Sequence, residues 1–142
     1  MQNRYDERVR ETLFPIRIVK QFGKVTNAEA LLKEKPLQVN LREPDCTVLE
    51  NTENEESAGV LLDFGREING AARIITFSAH SAKPASVHIT YGESVAEALS
   101  EIGYKNATND HSVRDTDIFL PTFSDMTFNE TGFRFLFFAL RE

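Results

Sequence analysis

VLLDFGREINGAARIITF, residues 60–77, reads as strand sequence on either side of a break. Val60, Leu62 and Phe64 alternate on one face, with Leu61 and Asp63 on the other. Gly65 interrupts the alternation. Asn69-Gly70 then carries the strongest short signal for a tight turn, because both residues tolerate positive φ, and residues 72–77 resume as a strand. Two further stretches are suited to pair with it. In SVHITY, residues 86–91, Val87, Ile89 and Tyr91 face one way and Ser86, His88 and Thr90 the other, the pattern of a strand buried on one face and wet on the other. In GFRFLFFAL, residues 132–140, both faces are largely apolar, which predicts a central strand covered on both sides and among the last to open.

Outside this group the chain is mostly strand and loop. Phe14, Ile16 and Ile18 alternate, with Pro15 at a strand-opening or edge position. Thr26 and Glu29 have capping-box spacing before a single helical turn. Leu37, Val39 and Leu41 predict a strand, and Cys46, Val48 and Leu49 another. ENTENEES, residues 50–57, has four acidic residues and no apolar side chain, so it reads as a mobile acidic loop spanning about residues 50–58. Ser94 and Glu97 form a second capping box, with Val95, Leu99 and Ile102 at helical spacing before Gly103. Thr116 to Pro121, TDIFLP, is a strand stopped by proline, and residues 121–130 are irregular or an edge. The expectation is an all-β fold of about eight strands, an antiparallel β-sandwich of jelly-roll type with one or two short helices. It fills residues 1–142 as one domain with residues 1–12 as a flexible leader.

Composition sets the outer limits. A chain of 142 residues with 41% hydrophobic and 27% charged side chains can bury a core without help from metals or disulfides. Cys46 is the single cysteine, so no internal bridge can form, and it reads as a small buried hydrophobe. The charged start, MQNRYDERVRE, predicts no signal peptide, and no apolar run is long enough for a membrane span. The compartment stays open. Residues 1–35 hold eight Lys/Arg and five Asp/Glu, net +3, leaving eight against seventeen, net −9, for the remainder. That acidic remainder argues against nucleic-acid binding.

The blocks LLDFGREINGAARI, YGES, TDIFLP and NETGFRF, in that order, resemble the β-sandwich domain that precedes the catalytic domain in bacterial α-L-rhamnosidases. The resemblance implies the same sandwich architecture. It also implies that the catalytic carboxylates belong to a later, C-terminal domain, a barrel of α-helices that would be this chain's partner. On that reading the chain is a non-catalytic accessory domain of a glycoside hydrolase, inactive by itself. The alternative is a stand-alone lectin-like carbohydrate-binding module.

Nothing in the residues contradicts an absence of catalysis. GxSxG, Walker A, HExxH and CxxC patterns are all missing. A glycosidase needs two carboxylates flanking one bond, but with twenty-two acids in the chain that criterion selects no pair. His80, His88 and His111 lack metal-ligand spacing, and His88 reads as a surface residue on the polar face of its strand. The polar loop from Lys105 to Asp117 is the candidate site. Asn106, Asn109, Asp110, His111 and Arg114 offer groups for sugar hydroxyls, and Asn109, Asp110 and Asp115 offer oxygens for Ca²⁺. No cofactor is required by any motif. Against a binding role stand the missing DxDxDG spacing and the absence of tryptophan; the preferred reading is a loop that packs on the catalytic domain. Elsewhere, the stem of Arg134 is expected to pack among phenylalanines while its head finds Glu130 or Asp63. The eleven phenylalanines read as core.

Overall fold

The computed structural model describes residues 10–42, 45–78, 83–100 and 112–141. Among them are seven strands: β1 (Arg17–Phe22), β2 (Lys24–Thr26), β3 (Val48–Glu50), β4 (Gly59–Ile75), β5 (Ala85–Gly92), β6 (Asp115–Leu120) and β7 (Asp125–Leu140). One helix, α1 (Val95–Ala98), and two 3₁₀ turns, Ala28–Leu32 and Ser112–Arg114, complete the regular structure. The strands form a five-stranded sheet of order β1-β4-β7-β5-β6 and a two-stranded sheet of β2 and β3, every pairing antiparallel. Val25 and Leu49 of the small sheet pack on the apolar face of the large one, so the architecture is an all-β, sandwich-like pair of layers.

The Phe-rich strand is central, as its two apolar faces require. β7 pairs with β4 from Asp125 to Ala139 and with β5 from Phe135 to Leu140. The inner face carries Val60, Leu62, Ile89, Tyr91 and Leu136 under the small sheet. Leu61 and Phe135 lie on the outer face, where Ala98 of α1 covers them. Residues directly opposite in an antiparallel pair share a face, so the outer face can be followed rung by rung. Lys20, Leu61, Phe137, Thr90 and Asp115 make one rung; Phe22, Gly59, Ala139, His88 and Asp117 make the next.

Several local expectations give way to pairing. Asn69 and Gly70 do not turn the chain; they lie inside β4, opposite Gly132 and Thr131. A two-residue turn there would have taken half of β4 away from β7, and the ladder outweighs the local turn preference. Residues 125–130 likewise belong to β7. Leu37, Val39 and Leu41 form no strand, and Leu41 is 83% exposed. Thr26 ends β2 instead of capping a helix; Asn27, in the left-handed region at φ 56, occupies the cap position without a side-chain cap bond. Two phenylalanines are not core, since Phe119 is 67% and Phe123 44% exposed. Cys46 is only partly buried.

The long β4–β7 ladder is broken twice. From Asp63 to Ile68 β4 advances five residues while β7 retreats two, from Phe135 to Phe133, so three extra β4 residues bulge out around Gly65. Gly65 takes φ 83, and its N–H donates to Asp63 Oδ1 at 2.7 Å. At the second break, between Gly70 and Ala72, the extra residue is on β7, where Asn129 takes φ 43. Here Tyr91 Oη accepts from Ala72 N–H at 3.1 Å and donates to the Phe128 carbonyl at 2.8 Å. A phenol reaching across from β5 thus satisfies a backbone group of each strand, and burial pushes its pKa up to about 12.

Of the two capping boxes, the second forms. Ser94 Oγ accepts from Glu97 N–H at 3.2 Å, and Gly92 lets the helix lie against the end of β5, where a Cβ would sit 2.3 Å from Ala98 N. Leu99, expected on the buried side of this helix, is 42% exposed at its C-cap. Residues 102 and 103 lie outside the described residues. Tyr91→Phe keeps the ring but leaves the Ala72 N–H and Phe128 carbonyl without their bridge. Urea unfolding should register a loss of about 2 kcal/mol, with the far-ultraviolet spectrum of the native protein unchanged.

Candidate functional site

Two polar constellations with buried centres lie on the outer face. The first centres on Asp63, which is 1% exposed. Arg134 Nε and Nη2 donate to its two carboxylate oxygens at 3.0 and 3.2 Å, and Arg17 Nη2, from the paired position on β1, donates to Oδ2 at 2.9 Å. The Arg134 guanidinium, helped by the Gly65 amide and Arg17, holds the Asp63 carboxyl far below the usual carboxylate range against the opposing effect of burial. Of the two partners expected for Arg134, Asp63 is the one found; Glu130 pairs with Arg10 at 3.2 Å. This group joins three strands.

The second constellation corrects the surface reading of His88, which is 5% exposed. His88 Nδ1 lies 2.7 Å from Asp117 Oδ1, and Nε2 lies 3.1 Å from Asp115 Oδ1 and 3.0 Å from Thr90 Oγ1. Arg141 Nε donates to Asp117 Oδ1 at 3.0 Å, and its Nη2 is 2.9 Å from His88 Nδ1. The Asp117 carboxyl is lowered by its hydrogen bond to His88 and then by Arg141. The period-2 pattern placed His88 on the correct face; the signal that this face is covered was the Leu61, Phe135 and Phe137 that share it.

A cleft of about 290 Å³ opens beside this array. Its floor is low because the rung from Phe22 to His88 passes through Gly59 and Ala139, which have almost no side chain. Phe22 and Phe137, in edge-to-face contact at 5.3 Å, line it together with Leu99 of the α1 cap, His88 and Thr90. Arg141, Glu56 and Ser57 stand at the rim. The wider groove over the inner face, about 2750 Å³, is an interlayer space far larger than the roughly 300–1,000 Å³ of a small-molecule pocket.

The sequence-predicted site is only partly visible. Lys105, Asn106, Asn109, Asp110 and His111 lie outside the described residues, as does His80. Arg114 is 1% exposed and turned inward, its Nη1 donating to the carbonyls of Glu97 at 3.2 Å and Ser100 at 2.9 Å, so that it caps the C-terminal end of α1. Asp115 faces His88. Among the described residues no group of three or more His, Cys, Asp or Glu is gathered to hold a metal ion. None of their helices is long and apolar enough to cross a membrane.

Fold and site together define an antiparallel, sandwich-like β-domain with a shallow mixed-polarity cleft on its outer face. No protein-family model and no curated protein matches the chain. Among solved structures, a rhamnosidase from Klebsiella oxytoca with rhamnose bound aligns at TM-score 0.45 and 20% identity, over 60% of this chain and 18% of that one. The chain therefore spans less than a fifth of the length of that protein.

Because the folded Asp63 carboxyl titrates below its unfolded value of about 4, its contribution to stability is complete above that pH. It is lost as pH falls toward the depressed value. Asp63→Asn should cost about 2 kcal/mol at neutral pH, less than a fully buried pair because both arginines can rehydrate. The difference from the parent protein should shrink below about pH 4. Denaturant titrations of both proteins across that range measure it.

Proposed function

We propose that this chain is the non-catalytic β-sandwich domain of an α-L-rhamnosidase-like glycoside hydrolase, supporting a following catalytic barrel of helices and contacting carbohydrate. One observation carries the reading. The four blocks of rhamnosidase-like sequence, dispersed from residue 61 to residue 135, fall on or at the ends of four adjacent strands of one sheet, β4, β7, β5 and β6. The Asp63 of the first block and the Arg134 of the last are mates in the buried ion pair. A shared sequence signature whose charged members are used in strand-to-strand pairing belongs to a scaffold, and that is the part expected of an accessory domain.

The Lys105 to Asp117 loop keeps both of its proposed roles, sugar contact by Asn106, Asn109, Asp110 and His111, with Ca²⁺ at Asn109, Asp110 and Asp115, or packing on the catalytic domain. The inward-turned Arg114 favours the second, since it is engaged with α1. The outer-face cleft favours a different second reading, a stand-alone lectin-like module. The two separate cleanly. Purified chain should release no p-nitrophenol from p-nitrophenyl α-L-rhamnoside, and its reading frame should continue past residue 142 into helical-barrel sequence. Reproducible release by the pure chain would overturn the accessory-domain reading; a stop codon at that point would favour the lectin.

A further inference from the structure

We propose that Asn69 is a site of spontaneous deamidation, timed by local opening of the short ladder segment that contains it, and that the products loosen the pairing there. Asparagine is among the thermolabile side chains, and Asn69 is the only one in the chain followed by glycine. The reaction consumes water and no other reagent. The Gly70 backbone nitrogen attacks Asn69 Cγ and forms a new C–N bond. The bond from Cγ to the side-chain nitrogen breaks, and that nitrogen leaves as ammonia with the proton lost from the Gly70 N–H. Water then opens the cyclic imide. Cleavage of the new bond leaves aspartate; cleavage of the original peptide C–N bond leaves isoaspartate.

Glycine leaves the attacking nitrogen unshielded, having no Cβ. Beyond its chain neighbours, no described residue comes within 4 Å of where a Cβ on Gly70 would stand, and Asn69 is itself exposed. The imide has room to form; the backbone withholds it. Asn69 and Gly70 are paired with Gly132 and Thr131, and a laddered, extended peptide cannot rotate to bring its nitrogen onto the preceding Cγ. That restraint is short, since Ile68, Asn69 and Gly70 are the three rungs between the two breaks in the β4–β7 ladder. Bounded by bulges and with glycine opposite Asn69, this segment opens at less cost than the longer ladders on either side.

The products do not fit back. Ile68 and Phe133 belong to the inner face, so the next pair, Asn69 and Gly132, lies on the outer one. There Glu67 Oε1 stands 3.9 Å from where a Cβ on Gly132 would be. Glu67 is hydrogen-bonded to Glu93, whose carboxyl is raised by that bond and then by the charge of Glu67. A carboxylate formed at residue 69 joins these two. Isoaspartate also lengthens the main chain by a methylene, so Ile68 and Gly70 cannot both keep their partners.

Incubation of the purified chain in warm, mildly alkaline buffer, followed by peptide mapping in a mass spectrometer and enzymatic methylation of isoaspartate, reads the site. A gain of one mass unit is expected first in the peptide that holds Asn69, with isoaspartate in part of it. The folded chain should convert about ten to a thousand times more slowly than the chain in concentrated urea. Its rate should stay flat at urea concentrations below the unfolding transition, because local opening exposes little surface. Gly70→Ala should slow conversion about tenfold in urea and in buffer alike. Tyr91→Phe, which releases Ala72 and Phe128 at the second break, should speed it in buffer alone. Freshly purified Asn69→Asp should unfold at lower urea than the parent, by a margin that narrows in high salt. Faster conversion at another asparagine, equal folded and unfolded rates, a folded rate below the expected range, a rate that climbs with urea along the global unfolding curve, or an Asn69→Asp chain as stable as its parent would each overturn the proposal. None of those results touches the accessory-domain reading, which falls only on hydrolysis by the pure chain.

Discussion

A strand paired on both sides must place every backbone group without recourse to water, and β7 is such a strand over Phe135–Ala139. Its demands propagate outward. β4 must run seventeen residues to stay beside it, which is why Gly65 becomes a bulge and Asn69-Gly70 becomes ladder, both against their local preferences as strand-breaker and turn. So long a pair is interrupted by two bulges, one on each strand. Each bulge exposes polar groups inside the sheet, and each is repaired by a side chain. Asp63 takes up the Gly65 amide at the first, and the Tyr91 hydroxyl bridges the strands at the second.

These repairs explain why charged and phenolic groups sit among apolar neighbours. Asp63 alone on the outer face would be untenable; with Arg134, Arg17 and the Gly65 amide its oxygens are occupied and its charge is compensated. The two arginines come from different strands, so the ion pair forms only when β1, β4 and β7 are in register. It therefore acts on specificity of pairing as much as on stability. Arg114 does comparable work at the other end, tying the last turn of α1 to the 3₁₀ turn that precedes β6.

The outer face combines two characters because α1 covers only part of it. Near Asp63 it is packed under Ala98; toward Arg141 the helix ends at Leu99, and small residues at Gly59 and Ala139 leave a depression. A scaffold role and a small binding cleft can coexist on one sheet for this reason. The packed end sets the position of the open one.

Period-2 alternation determined most of the strands, the central place of the Phe-rich segment and the faces on which Asp63 and His88 lie, because a strand's side-chain direction is a local property of its backbone. The Ser94 capping box was likewise legible, its two partners being three residues apart. What spacing could not decide was which local signal would yield when two strands competed for it, as at Asn69-Gly70, or how deeply a face would be covered, as at His88. Nor could it bring together Phe22, His88 and the end of the chain at Ala139 and Arg141, which lie on three segments separated by long stretches of chain. Those outcomes depend on the register of β4 and β5 against β7 and of β6 against β5, and register is settled by the sum of contacts across the sheet, which no single stretch of sequence contains.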